Sequence, residues 1–231
     1  MSDYDRHPYN ELNALFRAQA FPHQGQEPEQ AKVIVLGIDA NYSREVSDSS
    51  EFFKRIIEYH QDGVQFWEKY GVHHPFLLAS YPFNKTTGGV PYHRRFTWLG
   101  LDSSFAPLIS FIELLDVPTT GRSEKQRFWE LFSIEHARRI DRLVQAARPR
   151  MILVSKSLVE MYMLFAKKKF GVFPWLPDQF RLGVMKVIGE TQIRGAPHFS
   201  STTYTKADFG QLGDAIKQFC GQVSIGVCRR R

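Results

Sequence analysis

The sequence predicts an α/β protein, a three-layer α/β/α sandwich around a central, mostly parallel sheet of about four strands. Three observations predict it. The short apolar runs Val33-Ile34-Val35-Leu36, Met151-Ile152-Leu153-Val154 and Val184-Met185-Lys186-Val187-Ile188 read as buried strands. The segments between them are longer and repeat apolar residues at three and four, the helical period. Strands alternating with helices of that length give a parallel sheet covered on both faces.

Residues 8–20 place Leu12, Leu15 and Phe16 on one helical face, and a polar loop at 22–31 leads into a strand at 32–37. Residues 49–70 read as helix, with Phe52, Phe53, Ile56, Ile57 and Tyr59 largely on one side and Phe66-Trp67 opening a further turn. Gly71, Pro75, Pro82, Gly88-Gly89 and Pro91 make 71–100 irregular. The run from Phe105 to Leu115 predicts a strand ending near Asp116-Val117-Pro118. A helix over 123–147 stops at Arg148-Pro149-Arg150, before the strand at 151–154. Ser155-Lys156-Ser157 opens a helix through Lys168, and the strand at 184–188 precedes the loop Gly195-Ala196-Pro197-His198-Phe199-Ser200-Ser201. A closing helix spans 206–221, ahead of a short basic tail, Arg229-Arg230-Arg231. No repeat or composition shift divides the 231 residues, so one domain is expected.

Apolar residues make up 43% and charged residues 23%, an ordinary globular composition. No apolar run approaches the roughly 20 residues of a membrane helix. The start, Met1-Ser2-Asp3-Tyr4-Asp5-Arg6, is polar, unlike a secretory signal, and a cytoplasmic protein without a membrane partner is expected. Cys220 and Cys228 are too few for a disulfide framework or a zinc site and read as reduced thiols. The net charge of +6 mildly favours a polyanionic partner.

The strand at Val33 runs into Gly37-Ile38-Asp39-Ala40-Asn41-Tyr42, which places a carboxylate at the carboxyl edge of the sheet. That edge is where open α/β sheets bind ligands. Loops 37–43, 116–122 and 195–203 are expected to meet there, carrying Asp39, Asn41 and Tyr42, then Asp116 and Arg122, then His198, Ser200 and Ser201. A carboxylate, an imidazole and several hydroxyls suit a hydrolytic site. The structural alternative makes Asp39 a helix cap and the serines turn residues. His73-His74 lacks the i, i+4 spacing of helical metal ligands, so no metal is expected. No glycine-rich nucleotide loop occurs, and no cofactor is expected.

Gly37-Ile38-Asp39-Ala40-Asn41 early and His198-Phe199-Ser200 late resemble the two site motifs of the uracil-DNA glycosylase superfamily, Gly-Gln-Asp-Pro-Tyr and His-Pro-Ser. Between them, Arg94-Arg95-Phe96-Thr97-Trp98 is similar to an Asn-Arg-Phe-Trp segment of the mismatch-specific branch. Ser155-Lys156 resembles that branch's Gly-Lys turn, and Leu114-Leu115-Asp116 falls where the uracil-specific branch has Leu-Leu-Asn. The ordered motifs cover about residues 32–203, while Ala40 and Phe199 replace two prolines and about 44–90 is an insertion.

The resemblance implies a monofunctional DNA glycosylase of base excision repair that flips the base out of the helix. Asp39 would activate water or stabilise the sugar cation, and His198 would stabilise the leaving base. Gly37, Ile38, Asn41, Tyr42, Tyr92 and Asp116 would hold the base, with Tyr42, Phe83 or Tyr92 as its stacking platform. Arg94, Arg95, Lys156, Ser200 and Ser201 would contact DNA phosphates. Asp116 can only accept where the family's asparagine also donates, which points away from plain uracil and towards a base offering two donors. No lysine is placed well enough to be expected as a Schiff-base nucleophile, Lys156 being the one left open. A small-molecule hydrolase on a similar sheet and a non-catalytic nucleic-acid-binding protein are the alternatives. The first lacks a Gly-x-Ser-x-Gly elbow.

Overall fold

The computed structural model describes residues 3–46, 51–86, 89–146 and 148–228, with side chains through residue 221. The tail at Arg229-Arg230-Arg231 lies outside the described residues. Six strands make the main sheet: β2 (Gln24–Gly25), β3 (Val33–Gly37), β5 (Ile109–Glu113), β7 (Met151–Ser155), β8 (Gly183–Ile188) and β9 (Thr191–Ala196). Their order is β2-β5-β3-β7-β9-β8. The central four, β5-β3-β7-β9, run parallel, and β2 and β8 pair antiparallel at the two edges. The sheet is therefore wider than the four strands expected, although its parallel centre has four. A small second sheet, β1-β6-β4, joins β1 (Asp5–Arg6), β6 (Pro118–Thr120) and β4 (Ala40–Asn41).

Alternation along the strands divides the core into two faces. Ile34, Leu36, Ile112, Ile152, Val154 and Ile193 pack against α5 (Lys125–Leu131), α6 (Ile134–Gln145) and the helical segment α7 (Lys156–Leu158), a π-turn (Val159–Met163) and α8 (Leu164–Phe170). Val33, Val35, Ile109, Phe111, Met151 and Leu153 face α3 (Gly63–Tyr70), α4 (Val90–Phe96) and α9 (Lys206–Cys228). Helices on both faces give the three expected layers. A third apolar cluster links α1 (Asn10–Ala18) and α2 (Phe53–Gln61) with Tyr42, Phe76, Tyr81 and Val90.

Five elements differ from the sequence expectation, among them the helix over 123–147, which is α5 and α6 because the Ser133 hydroxyl accepts the His136 N–H at 3.2 Å and starts a new one. The helix over 49–70 is two helices, because the Asp62 side chain accepts the Gln65 N–H at 2.8 Å and starts a new one. The strand expected through Leu115 ends at Glu113, while Leu114 and Leu115 turn into the core. The strand at 184–188 is an antiparallel edge. It turns at Gly189, whose φ of +56° suits glycine, into β9, the fourth parallel strand. Thr191-Gln192-Ile193-Arg194-Gly195-Ala196 carries too few large apolar residues to announce itself. Within 71–100, α4 forms with Pro91 in its first turn, where the missing N–H costs nothing. No helix among the described residues is long and apolar enough to cross a membrane.

Candidate active site

The carboxyl ends of the parallel strands open into a cavity of about 820 Å³. Its floor is Gly37, Ile38 and Asp39 after β3, Glu113 at the end of β5, Ser155 at the end of β7, and Pro197-His198-Phe199-Ser200 after β9. Residues between 44 and 90 supply a roof that includes His74, Phe76, Tyr81 and Phe83. Asp3, Arg44, Glu45 and Arg122 line it as well.

Asp39 is fixed by two donors onto one oxygen. The Tyr4 hydroxyl donates to Oδ2 at 2.9 Å, and the Thr119 hydroxyl donates to the same atom. Asn41 Nδ2 donates to Thr119 Oγ1 at 3.2 Å and to the Gly121 carbonyl at 3.0 Å, holding β6 in place beneath the carboxylate. Burial pushes the Asp39 carboxyl above the ordinary range, and the hydrogen bonds from Thr119, Tyr4 and Asn41 oppose that rise. These bonds hold Asp39 at the cavity wall, and a strand, β4, rather than a helix follows it.

Glu113 is the residue that sequence reasoning missed. β5 and β3 are parallel neighbours, and Glu113 pairs in register with Gly37. Its carboxyl lies over that glycine, where an added Cβ would sit 1.9 Å from Oε2 and 2.7 Å from Oε1. Burial, and then the charge of Asp39, push Glu113 up to about 8. Among the described residues its carboxyl accepts no hydrogen bond. His136 Nε2 holds the Glu113 backbone carbonyl at 2.8 Å from behind the sheet. A charged residue closing Ile109-Ser110-Phe111-Ile112 was the available signal, the same one that drew attention to Asp39.

His198 enters from the opposite flank. The Ser200 N–H donates to its Nδ1 at 3.1 Å, which selects the neutral tautomer protonated on Nε2. Burial, with Arg95 nearby, holds His198 below the usual imidazole range, so it is a neutral donor at physiological pH. Tyr92 packs edge-on against His198 and Phe199, at centroid distances of 6.0 and 5.1 Å.

The roof rests on neutral histidines. His74 stacks on His93 at 3.6 Å and 11°, His73 bonds His93 at 3.1 Å, and His60 bonds the Tyr42 hydroxyl at 2.8 Å. Burial holds all four below the usual imidazole range, His60 and His93 down to about 3. Among the described residues no group of three or more His, Cys, Asp or Glu could hold a metal ion. These histidines work as packed aromatic rings.

Of the sequence candidates, Gly37, Ile38, Asp39, Asn41, Tyr42, Tyr92, His198 and Ser200 line the cavity. Tyr42 is committed through its hydroxyl to His60, and Phe83 packs on Tyr81 in the roof. Asp116 does not line the cavity and sits within electrostatic reach of His136, because β5 ends three residues before it. The inference of a base with two donors, which rested on Asp116, falls with it. Arg94, Arg95, Lys156 and Ser201 also lie outside the lining. Arg94 donates to the Lys85 carbonyl, Arg95 donates to the Phe199 carbonyl at 3.1 Å, and Lys156 reaches Glu160 at 4.0 Å. Arg95 thereby ties α4 to the His198 loop. No protein-family model matches the chain, and no curated protein matches it.

Proposed function

We propose that this protein hydrolyses an N-glycosidic bond and releases a damaged or deaminated base from DNA, as the resemblance to the uracil-DNA glycosylase superfamily implies. One observation carries the reading: a hydrogen-bonded carboxylate, Asp39, and a neutral imidazole donor, His198, share one cavity at the carboxyl edge of four parallel strands. Breaking this bond develops positive charge on the sugar and negative charge on the ring. Asp39 stabilises the first and orients or deprotonates water, and His198 donates to the second. The cavity lies within the range of ligand sites, roughly 300–1,000 Å³. Arg94, Arg95, Lys156, Ser200 and Ser201 are the proposed phosphate contacts, and a cytoplasmic location suits the activity.

The test is a panel of single- and double-stranded oligonucleotides, each carrying one modified base, followed by alkaline cleavage at abasic sites. Asp39→Asn is expected to slow release by about 10²–10⁴-fold while DNA binding stays intact. Absence of product with uracil, hypoxanthine, xanthine and alkylated bases would sink the DNA reading.

A second reading rests on the charged residues lining the cavity. Asp3 and Glu45 alternate there with Arg44 and Arg122, a mixture of signs that also suits a small substrate such as a free nucleoside. The same panel run on free nucleosides separates the two.

A further inference from the structure

We propose that Glu113 is a second catalytic carboxyl of this cavity, the acid that gives a proton to the leaving ring while Asp39 takes one from water. The proposal rests on the glycosidic reading above. Three features of the geometry point to it.

First, Glu113 ends β5 and Asp39 lies two residues past the end of its parallel neighbour β3, and both line the same cavity, so one substrate can meet both. Second, burial raises both carboxyls but their hydrogen bonds differ. Asp39 accepts from Tyr4 and Thr119, which favours its anion. Glu113 accepts nothing from the described residues, and its oxygens lie packed over the Gly37 backbone. Glu113 is half-buried at the cavity wall, so a ligand in the cavity can reach its carboxyl. Third, the groups within electrostatic reach of Glu113 are Tyr42 beyond β4, Tyr59 on α2, Tyr92 on α4 and Asp39 itself. His23 shares a small void with it, and His136 touches only its backbone. Burial and the Asp39 charge act on it and no lysine or arginine opposes them, so the proton stays on Glu113 at neutral pH. A pair of carboxyls, one hydrogen-bonded as the anion and one without a donor among the described residues, matches the base and acid that glycoside hydrolysis needs.

The step balances. Water oxygen bonds to the anomeric carbon and its proton passes to the Asp39 carboxylate. The carbon–nitrogen bond breaks with its electron pair going to the ring, and the ring takes the Glu113 proton. Asp39 ends protonated and Glu113 ionised, and proton exchange with solvent restores both. Rings that leave poorly as anions depend most on this proton.

The experiment compares wild type with Glu113→Gln, which can donate a hydrogen bond but cannot surrender a proton. Oligonucleotides carrying 5-fluorouracil, uracil or hypoxanthine are the probes, with the matching free nucleosides alongside. Wild-type release should fall as pH rises through about 8, and the variant should lose that limb. The variant should slow hypoxanthine at least about tenfold more than 5-fluorouracil. Difference infrared spectra should show a carboxylic-acid carbonyl at neutral pH that is absent from the variant. Equal slowing of all rings, retention of the alkaline limb, or no such carbonyl band overturns the acid role and leaves the glycosidic reading standing. No release by wild type from any probe overturns both.

Discussion

Glu113 and Gly37 are in contact through the absence of a side chain: a Cβ on Gly37 would fall 1.9 Å from Glu113 Oε2 and 2.5 Å from Cδ. The obstacle is the Glu113 carboxyl, which lies within electrostatic reach of Tyr42, Tyr59 and Tyr92 and would have to leave that place. Gly37→Ala should therefore act as a Glu113 variant, expelling the carboxyl from its place. We expect Gly37→Ala and Glu113→Ala to lose similar activity. The double variant should be little worse than either, because both changes remove one interaction. Additive losses in a double-mutant cycle would refute the coupling.

The donors to Asp39 set where its proton leaves. Tyr4→Phe removes the hydroxyl at 2.9 Å, and Thr119→Val removes the second donor to the same oxygen. Hydrogen bonds to a charged group are worth about 1.5–3 kcal/mol, so each loss should raise the Asp39 pKa by roughly one unit or more. The acid limb of the pH–rate profile should move upward in both variants while the alkaline limb stays. An unmoved acid limb would mean that Asp39 is not the titrating base.

The roof histidines make the fold acid-sensitive. His60 is held at about 3 against an ordinary 6.5, so the unfolded chain binds its proton first as pH falls. Its contribution to stability is present above about 6.5 and drains away towards pH 3. Each such histidine gives a slope of about 1.4 kcal/mol per pH unit in that window. His60→Gln should lower the slope of urea-unfolding free energy between pH 6 and 4 by about one proton's worth. Comparing the variant with its parent cancels the carboxyl groups common to both.

The alternation within 33–36 and 151–154 was enough to read the layers, because branched residues on both faces of a strand demand helices above and below. Asp39 and His198 were legible as partners because both close elements at the same sheet edge. Glu113 was hidden by Leu114 and Leu115, which prolong the apolar run but pack in the core after the strand has ended. The Asp39 donors were hidden by distance, since Tyr4 and Thr119 lie 35 and 80 residues away in sequence. Only β6 pairing with β1 and β4 brings them together. The stack of His74 on His93 depends likewise on how α4 packs against the residues before it rather than on local spacing.

The acid role of Glu113 carries a stability cost of definite sign. Its folded pKa of about 8 stands above the ordinary 4.5, so the folded protein keeps a proton that the unfolded chain releases. Stability from this group is complete below about 4.5 and is lost as pH rises towards 8, opposite to the histidine trend. Glutamine fills nearly the same space and cannot ionise. Glu113→Gln should therefore be more stable than wild type at pH 7.5, by on the order of 4 kcal/mol, and nearly equal to it at pH 4.5. Paired melts at the two pH values measure the difference. A variant that is less stable at both would mean that the carboxyl is held for packing. A gain in stability together with loss of release would locate the strain at the site of chemistry, where proteins give up stability for function.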